Sequence, residues 1–474
     1  MARPKLVLIP ARPPAAFEPL LGGADMARIE AAARQAREQF AGRAIWHISS
    51  TLRGGGVAEM LRSLLPYVRG AGIDTRWAVL RENPAFFRLT KRLHDNLHDD
   101  RGDGGPLDDA ERALYEGTLR RRARDLRGLI RPDDVVFLHD PQTAGLVDHL
   151  RVAGATVLWR CHIGVDAPGA TALRAQRFLA PCVGAADLRI FSSESLIWPG
   201  LERSGCRVMA PSIDPLAPKN QDLAPREVQA ILVAVGLASD GAERPPVFTR
   251  SDGSPGRVER RAELVQDEPI PSTARLLAQV SRWDRLKDPD GIIECLAEEL
   301  LPAENVHLLL AGPDPDAVAD DPEGALVWSE VCARRAALPV AIRRRLHLAG
   351  LPMADLDENG AIVNAIQRRA DVVLQKSLAE GFGLTVTEAM WKARPVVGSR
   401  VGGIAEQIVD GENGLLVDPR DRRALARAVL NLIGDEGFAV RLGAAAHDRV
   451  RTHYLGPLRL AEYGELLAEL EERP

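Results

Sequence analysis

The residues best placed to do chemistry lie in Gln375–Pro419. Glu380 and Glu388 stand eight positions apart around the run Gly381-Phe382-Gly383-Leu384-Thr385. An apolar stretch, Asp371–Leu374, precedes them and predicts a strand that ends in Gln375, Lys376 and Ser377. Gly381 and Gly383 then allow a tight turn and close backbone approach, and a helix is predicted from Thr385 onward. The unpaired N–H groups and positive dipole end of such a helix suit a phosphate or a sugar hydroxyl. Carboxylates beside an anion site repel the ligand unless they bind its hydroxyls. Phosphate and many hydroxyls together describe a nucleotide sugar. The plainer reading is that glycine-rich strand-to-helix turns occur in every α/β protein and that a helical glutamate usually faces water.

Two cations strengthen the first reading. Arg275–Val280 predicts another strand, running out into Ser281-Arg282-Trp283-Asp284-Arg285-Leu286-Lys287-Asp288-Pro289. Arg282 and Lys287 would then lie just past one strand of the sheet whose neighbour carries the Glu380–Glu388 loop. Cations and a helix N-terminus at one sheet edge provide both charge and geometry for a diphosphate. Exposed ion pairing of these cations with Asp284 or Asp288 is the structural alternative. A carboxylate accepts two O–H bonds at once, so Glu388 suits a ribose diol, and Glu380, nearer the glycines, suits sugar hydroxyls.

These residues need a scaffold, and the chain supplies the pattern of one. Ala44–Ile48 predicts a buried strand, followed by Ser49–Arg53, then Gly54-Gly55-Gly56, then an amphipathic helix over Val57–Arg69. A strand, a glycine turn and a helix form the first βα unit of a doubly wound sheet, where ligands sit at strand C-terminal ends. The turn lacks the G-x-G-x-x-G dinucleotide pattern. Further strands are predicted at Thr75–Leu80, Asp134–Leu138, Ala155–Arg160 and Asp187–Phe191. They end in polar groups: His139-Asp140-Pro141-Gln142, then Cys161-His162-Ile163-Gly164, then Ser192-Ser193-Glu194. In an α/β sheet such ends share one edge. Val208–Asn220 is proline-punctuated and predicts a crossover between two halves. Residues 1–214 form the first domain, with 456–474 as a terminal helix returning to it, and 215–455 form the second. The stretch Gly236–Ser272 is polar and rich in Gly and Pro, and predicts a surface excursion without regular structure.

Composition bounds the rest. The chain has 474 residues, 46% hydrophobic and 27% charged, enough for two or three globular domains. Its net charge of −5, from 61 basic and 66 acidic residues, argues against a general nucleic-acid binder. Five scattered cysteines, without a C-x-x-C pair, imply neither a metal set nor a disulfide framework. The apolar run Leu6–Pro10 is too short for a signal or a membrane span, so a cytoplasmic protein is expected.

The segments SRWDRLKDP, EGFGLTVTE and the GG-x-x-E after RPVVGSRV resemble retaining glycosyltransferases of family 4. HISSTLRGGGVAEML, GIDTRWAVL, FFRLTKRLHDNLH, FLHDPQ, WRCHIG and SIDPLAPKN are similar to the trehalose glycosyltransferring synthases within that group, and to the related trehalose phosphorylases. The resemblance covers residues 44–455. It implies the α/β GT-B fold, two Rossmann-like domains facing each other across a cleft. It implies a retaining enzyme that reversibly forms trehalose from an NDP-glucose and glucose, with no cofactor and no metal. By the same resemblance, Arg282 and Lys287 bind the diphosphate and Glu388 the ribose. Glu380 and the Gly381, Phe382, Gly383, Leu384 and Thr385 backbone hold the donor glucose and phosphate. Gly55 and Gly56 close on the donor, and His162, with Asp140 and Gln142, faces the transferred sugar or acceptor. A homodimer is compatible with it. The chain departs from the family pattern in having Gly164 and Val165 after His162, where an acidic residue often stands. Phosphorolysis of trehalose, transfer to another acceptor, and a sugar-nucleotide-binding regulator without turnover stand as alternatives.

Overall fold

Strands such as Ile45–Ser49 and Val135–His139 are buried along their whole length rather than at alternate residues. That is what parallel strands covered on both faces require. The computed structural model describes residues 4–52, 56–239, 244–300, 305–315 and 322–471. Gly55 lies outside them. The chain divides into two compact units, one of Met1–Ser212 with Glu380–Phe382 and Tyr454–Pro474, the other of Ile213–Ala379 with Gly383–His453.

The first unit holds a seven-stranded sheet. Its strands are β1 (Lys5–Val7), β2 (Ile45–Ser49), β3 (Thr75–Val79), β4 (Val135–His139), β5 (Thr156–Cys161), β6 (Leu188–Phe191) and β7 (Cys206–Val208). The spatial order is β1-β3-β2-β4-β5-β6-β7, parallel except for the edge strand β1. Successive side chains point to opposite faces. Trp46, Ile48 and Trp159 therefore join Phe86 and Tyr115 on one side, while Ile45, Phe137 and Leu158 meet Phe40, Tyr463 and Leu466 on the other. The latter residues belong to or flank the helices Gly23–Gln39 and Gly456–Glu471, which Arg28 and Glu465 join through two 2.9 Å hydrogen bonds.

The second unit repeats the plan with a second seven-stranded sheet. After β8 (Val247–Thr249) and β9 (Pro255–Arg257) come β10 (Glu263–Val265), β11 (Arg275–Val280), β12 (Val306–Pro313), β13 (Leu346–Leu351), β14 (Val372–Gln375), β15 (Val396–Ser399) and β16 (Leu415–Val417). The sheet order is β10-β13-β12-β11-β14-β15-β16, parallel except for β10. In each sheet the winding reverses once, between β2 and β4 and between β11 and β14. Those are the switch points at which doubly wound sheets open a crevice at strand C-terminal ends.

The stretch 236–272 differs from the expectation of irregular chain. It carries the β8–β9 hairpin and the edge strand β10, which pairs antiparallel with β13; residues 240–243 lie outside the described ones. Its order comes from carboxylates about a hundred positions downstream, at the start of the helix Leu356–Arg369. Glu358, 1% exposed, accepts the backbone N–H groups of Glu259 at 2.6 Å and Arg260 at 2.7 Å and pairs with the Arg260 guanidinium. Asp355 holds Arg250 at 2.8 Å, and Asp357 holds the Ser251 hydroxyl at 2.6 Å. Local apolar periodicity carries no trace of such anchors. Losing the Glu358 carboxylate takes the acceptor from two backbone N–H groups, which costs about 1–3 kcal/mol, while the Arg260 side chain, 46% exposed, adds little. Glu358→Ala is therefore expected to lower unfolding stability by about that much and to open 244–272 to limited proteolysis, read by denaturant melts and cleavage mapping. Unchanged cleavage would show that the hairpin holds by other means.

Candidate functional site

At the switch point of the second sheet, two adjacent strands run out into the predicted loops. Past β11, Asp284 caps the short turn Arg285–Lys287 by accepting from Leu286 N at 2.8 Å, and the Arg282 guanidinium donates to Asp284 at 3.0 Å. The ion pair considered as an alternative for Arg282 is therefore present. With the Arg282 side chain 41% exposed, such a pair contributes at most about 1 kcal/mol, little enough for a stronger anion to displace it. Lys287 is half-buried.

The loop past β14 is tied to this one. Gln279, on β11, donates to the Lys287 carbonyl at 2.8 Å and accepts from Lys376 N at 2.8 Å. Lys376 is 2% exposed and ion-paired with Asp288, which sits at φ 45° and caps the helix Pro289–Glu298 through Gly291 N. Burial lowers the Lys376 ammonium to about 8. Beyond them Gly383, at φ 83°, starts the helix Leu384–Trp391. A side chain would be strained at that φ. Thr385 in the first turn donates to Gln375 at 2.7 Å. Glu388 is 1% exposed, against the expectation for a helical glutamate, and pairs with Lys219 at 3.4 Å. Lys392 donates to the Glu388 carbonyl at 3.0 Å and to Asn220 at 3.2 Å. Arg282, Lys287, Gly383, Leu384, Thr385 and Glu388 thus share one sheet crest.

In the first unit, Asp140 follows β4 with φ 61° and ψ −179°, a region nearly restricted to glycine. The strained residue is held by hydrogen bonds to its neighbours. Its Oδ1 accepts from His162 N at 2.8 Å, its carbonyl accepts from Trp159 at 3.1 Å and from the Thr143 hydroxyl at 3.2 Å, and its N–H donates to Arg160 O at 2.9 Å. Burial raises the Asp140 carboxyl to about 7, against the lowering effect of the His162 N–H and of Arg160. Gln142 is half-buried in the turn Pro141–Ala144, and Gly56 opens the helix Gly56–Gly70. Glu380, Gly381 and Phe382 group with this unit. A Cβ on Gly381 would come within 2.6 Å of the His162 carbonyl, and the Phe382 ring lies edge-on to Tyr454 at 5.7 Å.

The sequence reasoning missed Lys219, Lys376 with Asp288, and the neighbours of His162. The His162 ring is bonded to His139, and His139 to His47, each at 3.1 Å. Strand alternation in AIWHIS and VVFLH was a usable signal for those two histidines, since it separates them from the apolar residues beside them. Among the described residues no group of His, Cys, Asp and Glu could hold a metal ion, and no helix is long and apolar enough to cross a membrane.

Comparison with known proteins bears directly on this arrangement. Residues 47–197 match the family described as trehalose synthase, N-terminal domain, and residues 274–435 match glycosyl transferases group 1. Trehalose synthase of Rubrobacter xylanophilus is 36% identical over 433 residues, covering 90% of this chain and 91% of its own. The chain belongs to the trehalose synthase family. Trehalose synthase of Pyrococcus horikoshii is 33% identical, covering 96% of this chain and 95% of its own. A trehalose phosphorylase of Pleurotus pulmonarius is more distant, at 26% identity and 54% of its own length. Among solved structures, a UDP-forming α,α-trehalose-phosphate synthase of Burkholderia vietnamiensis superposes with a TM-score of 0.65, 16% identity, and 91% and 97% of the two chains. Anabaena HepE in complex with UDP and glucose gives 0.59, 15% identity, and 90% and 100%. The fold is GT-B, and the chain is a trehalose-related glycosyltransferase.

A carboxyl raised to about 7 when folded, from 3.8, binds a proton that the unfolded chain releases. Its stabilising effect is full below about pH 4 and is lost as pH rises through 7. Asp140→Asn, which mimics the protonated form and keeps an acceptor for His162 N, is expected to be more stable than the parent by a margin that grows from pH 5 to pH 8. Thermal melts at the two pH values test this; equal melting shifts at both would contradict it.

Proposed function

We propose that the protein is a retaining glucosyltransferase that reversibly forms trehalose from an NDP-glucose and glucose, without a metal. The observation that carries this reading is the crest of the second sheet. Two cations, a helix start opened by Gly383 and a buried carboxylate meet at the switch between β11 and β14. A diphosphate needs the first two, and a ribose suits the third. The trehalose synthase relatives, matching nearly full length, supply the sugar product.

In this reading Arg282, Lys287 and the Leu384–Trp391 helix start stabilise charge on the departing diphosphate, which is where rate acceleration is most effective. Glu388 accepts from the ribose, its carboxylate 3.4 Å from the Lys219 ammonium. Glu380 and the Gly381–Thr385 backbone hold the donor glucose, and Gly56 serves the same sugar. His162, Asp140 and Gln142 serve the transferred sugar and the acceptor. The anomeric C1–O bond to phosphate breaks as the acceptor oxygen bonds to C1 on the same face, and the acceptor proton passes to the leaving phosphate oxygen. Configuration is retained without a protein nucleophile, so Glu380 and Glu388 are not a glycosidase pair. Five unpaired cysteines are in keeping with a reducing cytoplasm.

Purified protein is incubated with trehalose and ADP, UDP or GDP without added metal, and in parallel with phosphate. NDP-glucose with free glucose is expected, and the productive nucleotide identifies the base. Glucose 1-phosphate formed only with phosphate would replace this reading with a phosphorylase. In the same assay Arg282→Ala and Lys287→Ala are each expected to lower kcat by roughly a hundredfold or more. Glu388→Gln is expected to act mainly on the KM for nucleotide.

A further inference from the structure

Three histidines of the first sheet form a single hydrogen-bonded file. The parallel register dictates it. His47 on β2 lies opposite Phe137 on β4, so His139, two residues on, shares its face one step nearer the C-terminal edge. His139 lies opposite Arg160 on β5, and His162 is again two residues on. His47 Nδ1 is 3.1 Å from His139 Nε2, and His139 Nδ1 is 3.1 Å from His162 Nε2. Both ring pairs stand 5.4 Å apart at 21°. His47 and His139 are buried, and His162 is half-buried at the strand end.

Each N···N bond needs one N–H and one lone pair, and a neutral imidazole has one of each. The donors must therefore all run the same way along the file, giving two settings. The inner end chooses between them. His47 Nε2 has no hydrogen-bond partner among the described residues, and its ring stacks on Phe137 at 4.8 Å. An orphaned buried N–H is rarer in proteins than an under-used acceptor, so the His47 proton belongs on Nδ1. It donates to His139 Nε2, His139 Nδ1–H donates to His162 Nε2, and the His162 proton is left on Nδ1. The file also stays uncharged. Burial lowers all three imidazoles, His47 to about 3, and the buried Arg160 guanidinium on the same face, bonded to Met209 O at 3.2 Å, opposes any imidazolium. The other charged groups bearing on the file are Asp140 beside His162 and, around Arg160, Arg459 and Glu462.

We propose that His139 and His47 are positioning residues whose hydrogen-bonded file fixes His162 in the Nδ1–H tautomer, so that His162 meets a sugar oxygen as a donor. The tautomer follows from the file alone; the sugar contact rests on the function proposed above.

Nitrogen-15 NMR of the full chain labelled at histidine reads the tautomers without turnover. In the parent, His139 and His162 are expected to be protonated at Nδ1 from pH 5 to 8, with scalar coupling across both N–H···N bonds. His139→Phe removes the bond to His162, and the Nε2–H form favoured by free histidine should appear there. Its kcat should fall roughly ten- to a hundredfold at an unchanged KM for nucleotide. His139→Asn places an amide N–H where imidazole Nδ1–H stood, and should restore both the tautomer and most of the rate. If His139→Phe does not fold, His47→Phe serves, since losing the inner end should leave His162 in mixed tautomers. Protonation of His162 at Nε2 in the parent, or an Nδ1–H form unmoved by these changes, would overturn the proposal. Absence of trehalose turnover with the NMR pattern intact would instead overturn the sugar contact alone.

Discussion

Burial of parallel strands on both faces is the constraint from which the rest of this molecule follows. A strand such as Thr156–Cys161 has almost no room for polar side chains along its length, and its neighbours are alike. Polar groups are pushed to the place where the strand leaves its helical cover, and a parallel sheet brings all such places to one edge. Chemistry then collects at that edge because nothing else in the unit can accommodate it. The reversal of winding between β2 and β4, and between β11 and β14, decides which two loops open widest. In the second sheet those two loops carry the glycines, the cations and the helix start.

The exceptions to an apolar interior are instructive. His47, His139 and Arg160 occupy one face of the first sheet, and they are tolerated because each finds a partner: an imidazole, another imidazole, a main-chain carbonyl. A buried polar group without such a partner costs more than an apolar one of its size. The polar row extends from the strand ends back into the sheet, and it gives an edge residue, His162, a chemical setting determined from below. Asp140 shows the same economy from the other direction, its carboxylate and strained backbone held by bonds to neighbouring main-chain groups, an indole and a hydroxyl.

How much of this was legible in sequence depended on the range of the partner. Strand β11 coincides with the apolar run Arg275–Val280, and the Gly383 helix start follows from glycine spacing beside an apolar run, because both are local signals. The candidate site residues Arg282, Lys287, Glu388 and His162 were found because strand ends can be located by such signals. The Glu358 anchor lies 99 positions from the segment it orders, and the Asp288 carboxylate lies 88 positions from Lys376. Neither contact leaves a local pattern. Burial of Glu388 was hidden for the same reason, its counter-charge being Lys219 on a distant stretch of chain.

The amide of Gln279 touches both loops of the second crest, giving a hydrogen to the Lys287 carbonyl and taking one from the Lys376 main chain. It is buried within a strand, so water cannot stand in for either bond. Glutamate has the same shape but cannot donate when ionised, and leucine can do neither. Sequence drift at this position is thereby confined to a residue with two opposite polarities at one tip. Random substitution should find position 279 among the least permissive in the strand, although it carries no charge.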